Sequence, residues 1–304
     1  MTPTALSGKK RKRILRNELK KLRPLIDLDS YIYGAGFSAD VAVEKDLMEI
    51  LGCDREKARE LAREQEDYIT HSLGNLKQQI QQSLRLFNED APALYLTGVG
   101  NYREEIATIA PYKGNRDSSH KPKYYKEMRR YAIDTWGAEV IDGMEADDAV
   151  SMEQWANPDK STIIVSIDKD LLNTPGHHYN PRKDEYQYVT LAEADRNFWM
   201  QGATGDTTDN IKGLHRIGTK TVWKEWEKHH DLEKLKDWVR RGYDKQYGAD
   251  GEFAMWENLT LLWMQRELWI NWDGGNLRGN TIGQKESHQE GGSEEGEQEQ
   301  DAAV

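Results

Sequence analysis

Cysteine is almost absent: Cys53 is the only one in 304 residues. That excludes an internal disulfide and fits a reducing, cytoplasmic setting. Long apolar runs are missing too, with nothing approaching the roughly 20 residues of a membrane span. The opening MTPTALSGKKRKRILRNELKK has a basic run but no apolar stretch behind it, which excludes a secretory signal. Residues 286–304 hold seven acids and no Lys or Arg. Setting those seven aside moves the formal net charge from −11 to −4. No internal repeat is present. The whole chain is 37% hydrophobic and 31% charged, with ten tryptophans, enough for a packed core under a very polar surface. Its basic residues cluster in KKRKR (9–13) and between Lys113 and Arg130. Clustered positive charge is the footprint of phosphate-backbone binding, although either cluster alone also fits a solvated face.

Three short apolar runs read as strands of a buried parallel sheet: PLIDL (24–28), ALYLT (93–97) and TIIVSI (162–167). Amphipathic helical segments separate them, at 41–51, 55–87 with a break expected near Gly74, 122–136 and 145–156. Strands alternating with helices indicate an α/β class with a parallel central sheet flanked by helices. From Ala192 onward the pattern is helical, and Trp223, Trp226, Trp256, Trp263 and Trp269 are expected in its core. The expected organisation is a basic extension (1–22), an α/β domain (23–200), a helical subdomain (201–282) and an acidic tail (283–304). The tail, poor in apolar residues, is expected not to order.

Carboxylates recur where such a sheet binds ligands. Asp27 and Asp29 follow the first strand, two apart and hence on one side of an extended segment. Asp168 and Asp170 repeat the pattern in SIDKDLL. Ligands of open parallel sheets bind beyond the carboxyl ends of the strands, so the two pairs should face one crevice. GMEADDAV adds Glu145, Asp147 and Asp148 at a helix start, and GDTTDN adds Asp206 and Asp209. A helix dipole offsets about 0.3–1 kcal/mol of repulsion per charge. That is too little for so many acids, whereas hard-oxygen sites suit Mg²⁺ or Mn²⁺. Each pair alone is also an ordinary helix cap or turn; the recurrence favours metal. Directly after GDTTDN, the glycines of Gly213-Leu-His-Arg-Ile-Gly-Thr-Lys220 have helix-hairpin-helix spacing. Such a turn lets the backbone approach a phosphodiester or a monovalent cation.

In order, LIDLDS, NYREEIATIAPYKGNR, GMEADDAV, SIDKDLL and GDTTDNIKGLHRIGTKT resemble the 5′-nuclease family over about residues 24–225. That family includes flap endonucleases, the 5′-exonuclease domain of bacterial DNA polymerase I, and the stand-alone 5′-3′ exonucleases and ribonuclease H of bacteriophages, which fit this length best. The resemblance implies a nuclease domain with a helical arch at about 103–130 and a DNA-binding helical subdomain. It also implies two metal ions, Mg²⁺ or Mn²⁺, held by Asp27, Glu145, Asp147, Asp148, Asp168, Asp170, Asp206 and Asp209. Lys113 and Arg116 would act on the scissile phosphate. Arg103, Lys113, Arg116, Gly213, Leu214, Arg216, Ile217, Gly218 and Lys220 would contact DNA, with K⁺ at the hairpin turn. The implied partners are DNA with a free 5′ end, flap or nick, an RNA–DNA hybrid, and a replication protein recruited by the acidic tail.

One position departs from the family pattern. Gly98 stands where an aspartate is usual, and Asp29 is the candidate substitute ligand. Two other readings compete. A haloacid dehalogenase-like phosphatase would use Asp27-Leu-Asp29 as nucleophile and general acid, and a branched-DNA-binding protein would have lost catalysis with the change at Gly98.

Overall fold

A computed structural model describes residues 17–65, 68–88, 92–116, 121–157 and 161–277. The KKRKR run, the acidic tail and residues 117–120 of the expected arch lie outside the described residues. Six strands form one sheet: β1 (Arg23–Asp27), β2 (Ala93–Thr97), β3 (Glu139–Ile141), β4 (Thr162–Val165), β5 (Gly176–Asn180) and β6 (Glu185–Val189). Their order is β3-β2-β1-β4-β5-β6, parallel throughout except for the antiparallel β5–β6 hairpin. The three strands expected from sequence are its centre. The other three are short or polar, Glu-Val-Ile and the Tyr- and His-bearing hairpin, and carry no apolar run for periodicity to detect.

Both faces of the centre are buried, which is why its strands are apolar without interruption. Ile26, Leu94, Leu96, Ile163 and Val165 pack against Ile32, Leu76, Ile80 and Met128 on one side. Those partners come from α1 (Asp29–Leu51), α3 (Ile69–Leu84), which follows α2 (Arg55–Glu64), and α5 (Tyr125–Trp136), which follows the short α4 (Tyr102–Ile106). On the other side Leu25, Tyr95 and Ile164 meet Ala146, Ala149 and Val150 of α6 (Ala146–Trp155). Each such aliphatic side chain contributes about 1.5–3 kcal/mol on full burial. The helical region expected over 55–87 is interrupted between Glu64 and Ile69, where Gln65 turns to extended backbone, and not at Gly74, which lies inside α3.

The chain then builds α7 (Leu191–Thr204), the small pair β7 (Gly205–Asp206) and β8 (Ile211–Lys212), α8 (Thr219–Glu227), α9 (Leu232–Tyr247) and α10 (Gly251–Leu262). Sequence periodicity is blind to a strand of two residues, so β7 and β8 were not expected. Phe198, Trp199, Leu214, Val239, Tyr243, Leu259 and Trp263 form a second core. Trp226, Trp256 and Trp269 pack partly buried against it. Trp223 instead remains 39% exposed, its ring under the Arg196 guanidinium at 5.1 Å. Among the described residues no helix is long and apolar enough to cross a membrane. The expected arch region consists, among the described residues, of α4, an irregular stretch over 107–116, residues 121–124 and the start of α5.

Strand order runs one way from β1 through β2 to β3, and the other way through β4. The switch point between β1 and β4 therefore opens a crevice at their carboxyl ends.

Candidate active site

Asp27 ends β1 at that crevice, and its Oδ1 accepts the Asp29 N–H at 2.8 Å. Beyond β4, Asp168 Oδ1 accepts the Asp170 N–H at 2.9 Å. Glu145 is the N-cap of α6, and Asp147 lies in its first turn. Asp206, in β7, accepts N–H groups from Thr208 and Asp209 at 2.7 and 3.3 Å. These elements are far apart in sequence, yet Asp27, Glu145, Asp147, Asp168, Asp170, Asp206 and Asp209 line one cleft of about 250 Å³. Lys113 and Arg116 line it as well.

The loop that carries those two cations is fastened to the loop that carries the last two acids. The Lys113 N–H donates to Asp209 O at 2.9 Å, Asn115 Nδ2 to Thr207 O at 2.7 Å, and Arg116 Nε to Thr208 O at 3.2 Å. Lys113 adopts a left-handed φ of 53° to make this approach. Its ammonium pairs with Glu145, and Arg116 pairs with Asp209. Tyr112, buried between the acids, places its hydroxyl 2.8 Å from Glu145 Oε2 and 2.9 Å from Asp209 Oδ2. Lys169 stands 3.5 Å from Asp206 and 3.9 Å from Asp170. Tyr112 and Lys169 were not singled out from sequence, although each is flanked by motif residues, in PYKGNR and in DKD.

Charge crowding leaves its mark on the acids. Burial, then the charge of Asp29, pushes the Asp27 carboxyl up to about 8. Burial, then Asp168 and Asp206, pushes Asp170 up to about 8. Burial, then Asp27 and Asp168, raises Asp147 well above the usual carboxylate range. Burial also works against ionised Glu145, but Lys113 and Arg103 outweigh it and hold that carboxyl low. Asp147 Oδ1 is buried and has no hydrogen-bond partner among the described residues. An orphaned carboxylate oxygen facing other acids fits a hard cation. Among the described residues no three His, Cys, Asp or Glu side chains converge closely enough to hold an ion as they stand. Lys113 pairs with Glu145 and approaches Asp209 at 4.0 Å, and Lys169 approaches Asp206 and Asp170 from the cleft's exposed side. The donor set, all hard carboxylate oxygens, fits a divalent cation.

Several expected site residues lie elsewhere. Asp148 is wholly buried: Arg103 Nη1 and Nη2 donate to it at 2.6 and 2.9 Å, and Gln265 N at 3.1 Å. It does not reach the cleft, and Arg103, equally buried, presents nothing to a nucleic acid. Adjacent residues on a helix face different ways, which separates Asp147 from Asp148. Asp29 lines the cleft with both oxygens engaged, Oδ2 by Thr97 N at 2.8 Å and Oδ1 by Arg129 at 3.0 Å. These contacts tie the end of the sheet to α5 while Asp29 stays in the cleft lining. At Gly98 itself a Cβ would stand 2.0 Å from Asp142 Oδ1 and 2.8 Å from Ile141 O. Asp142 fills that space and accepts the Val99 N–H at 2.8 Å.

In the hairpin turn, Leu214 is buried in the second core and Ile217 packs partly buried against it. Gly213 serves packing, because a Cβ there would stand 2.3 Å from Gly205 N. Gly218 faces open space at the N-cap of α8, and Arg216 and Lys220 are exposed.

No family model matches the chain. DNA polymerase I of Rhizobium leguminosarum is 31% identical over 105 residues, which are 31% of this chain and 10% of the polymerase. The chain therefore matches about a tenth of that relative's length. The zinc-bound 5′-exonuclease of T5 superposes with a TM-score of 0.52 at 16% identity, over 79% of this chain and 88% of that one. A complex of the bacteriophage T5 flap endonuclease with DNA and metal ions gives 0.46 at 16% identity, over 64% and 79%. The chain has the fold of the T5 5′-exonuclease, a mostly parallel central sheet flanked by helices.

Proposed function

We propose that this chain is a divalent-cation-dependent 5′-nuclease that hydrolyses phosphodiesters near a free 5′ end, flap or nick of DNA. The observation that carries the reading is the convergence of Asp27, Glu145, Asp147, Asp168, Asp170, Asp206 and Asp209 on one cleft, with Lys113 and Arg116 on its wall. Asp27, Glu145 and Asp147 on one side, and Asp168, Asp170, Asp206 and Asp209 on the other, would hold Mg²⁺ or Mn²⁺. Cations bound there supply positive charge to the phosphodiester and acidify the attacking water.

The chain's own groups do the rest. Lys113 and Arg116 hold phosphate oxygens where charge develops, which is worth most in a water-poor cleft. Tyr112 places its hydroxyl within reach of both Glu145 and Asp209 and donates its one proton to either. Arg216, Lys220 and the N-terminus of α8 offer a second phosphate contact, with K⁺ at the turn. RNA–DNA hybrids, phage-type replication in a cytoplasm and a replication partner for the acidic tail belong to the same proposal. A phosphatase mechanism would need Asp29 as general acid, a role that its contacts with Thr97 N and Arg129 do not support.

The test is cleavage of 5′-labelled flap, nicked duplex and RNA–DNA hybrid by the full chain in Mg²⁺, Mn²⁺ or EDTA. Products released from the 5′ side with metal and absent in EDTA are expected. Intact substrate under every condition, with binding retained, would leave the protein a binder and overturn the proposal.

A further inference from the structure

Glu257 of α10 is fully buried, and no cation pairs with it among the described residues. Its partners are three donors from one loop. Oε1 accepts the N–H groups of Thr108 and Ile109 at 2.9 and 2.8 Å, and Oε2 accepts the Thr108 hydroxyl. A buried carboxylate without a counter-ion is unfavourable unless its hydrogen bonds are fully made, so this one enforces the geometry of what it holds. The held loop continues through Tyr112 and Lys113 to Arg116.

The next residue holds the facing loop. Asn258, 2% exposed, donates to Lys212 O at 2.5 Å and to the Tyr243 hydroxyl at 3.0 Å. Lys212 belongs to β8, which pairs with Asp206 of β7. Two consecutive residues of one helix therefore anchor the roots of both loops whose tips meet at Lys113 and Asp209.

We infer that Glu257 is a positioning residue: it sets where Lys113 and Tyr112 stand relative to Glu145 and Asp209, 149 residues from the loop it holds. This rests on the nuclease reading for the consequence in turnover, though not for the placement of the loop. Glutamine at 257 can still accept both N–H groups through its amide oxygen and donate to the Thr108 hydroxyl, so it should preserve the arrangement. Alanine cannot.

The test is made on the full chain with Glu257→Ala, Glu257→Gln and Thr108→Val, reading two quantities. The first is the rate of tryptic cleavage at the Lys113–Gly114 bond under native conditions, which does not depend on activity. Glu257→Ala should raise it at least about tenfold over the parent, Thr108→Val by less, and Glu257→Gln little. The second is kcat on the flap substrate, which should fall about tenfold or more in Glu257→Ala with KM within about twofold, as displacement of a catalytic group demands. Should Glu257→Ala fail to fold, Thr108→Val against Glu257→Gln carries the comparison. Equal tryptic rates in all variants, or Glu257→Gln as damaged as Glu257→Ala, would overturn the inference. An inactive parent would sink the nuclease reading while the tryptic result still judged Glu257.

Discussion

Arg103 and Asp148 form a two-pronged ion pair at 2.6 and 2.9 Å, with neither side chain more than 1% exposed. The guanidinium also donates to the carbonyls of Leu261 and Trp263 at 3.0 and 2.6 Å. The pair thus clamps α4, α6 and the end of α10 together behind the cleft.

Breaking such a pair leaves a buried charge unpaired. Asp148→Ala should lower unfolding free energy by about 3–5 kcal/mol, read by urea denaturation, while the folded fraction keeps its affinity for Mn²⁺. A stable variant with lost metal binding would show that Asp148 is a ligand after all.

Asp147 should behave in the opposite way. Its buried Oδ1 has no partner among the described residues, and burial, then Asp27 and Asp168, raises its pKa. Asp147→Asn removes repulsion, so melting in EDTA at pH 8 should move upward while metal-dependent cleavage falls at least about a hundredfold. A lower melting temperature with intact cleavage would contradict this.

The acids also set a pH dependence. Asp27 and Asp170 titrate near 8 when folded against 3.8 ordinarily. Between those values the native state holds protons that the unfolded chain has released, so their contribution to stability declines as pH rises through the window. In EDTA the melting temperature should fall from pH 6.5 to 8.5. Mg²⁺ or Mn²⁺, binding only the native state, should restore it, and more so at the higher pH. A flat profile, unaffected by cations, would count against the cleft as a cation site.

His178 works from the acid side. Burial lowers its pKa from 6.5 to about 4, with the ring hydrogen-bonded to Thr174 O at 2.8 Å. Below 6.5 the unfolded chain gains a proton that the native state refuses, so stability is lost as pH falls from 6.5 toward 4, by up to roughly 3 kcal/mol. In His178→Gln that part of the acid sensitivity should vanish. Identical slopes for the two proteins in urea titrations at pH 6.5 and 4.5 would refute it.

Placing an aspartate at Gly98 should do harm. At Gly98 the added Cβ meets Asp142 Oδ1 at 2.0 Å, so Gly98→Asp should destabilise by about 1–3 kcal/mol. Pairing it with Asp142→Ala should recover part of that loss. Melting curves of the three variants decide.

Much of the site was legible because its signals are local. A short apolar run ending in Asp marks a strand and a crevice, as with Asp27, Asp168 and Asp170. The sheet centre was legible for the same reason. The β5–β6 hairpin was not, since its polar residues cover an edge and show no apolar period. Leu214 read as part of a DNA-binding turn because glycine spacing describes the backbone and says nothing of which side chain enters the core.

Sequence alone determined which acids exist, that they follow strands or open helices, and that two basic residues share a loop with Tyr112. Tertiary structure alone decided that Asp147 faces the cleft and Asp148 faces Arg103, that Asp29 is committed to Thr97 and Arg129, and that Glu257 governs Thr108. The physical reason is range. Strand ends and caps are written within a few neighbouring residues, whereas the direction of a helical side chain becomes a role only through a partner delivered by another part of the chain.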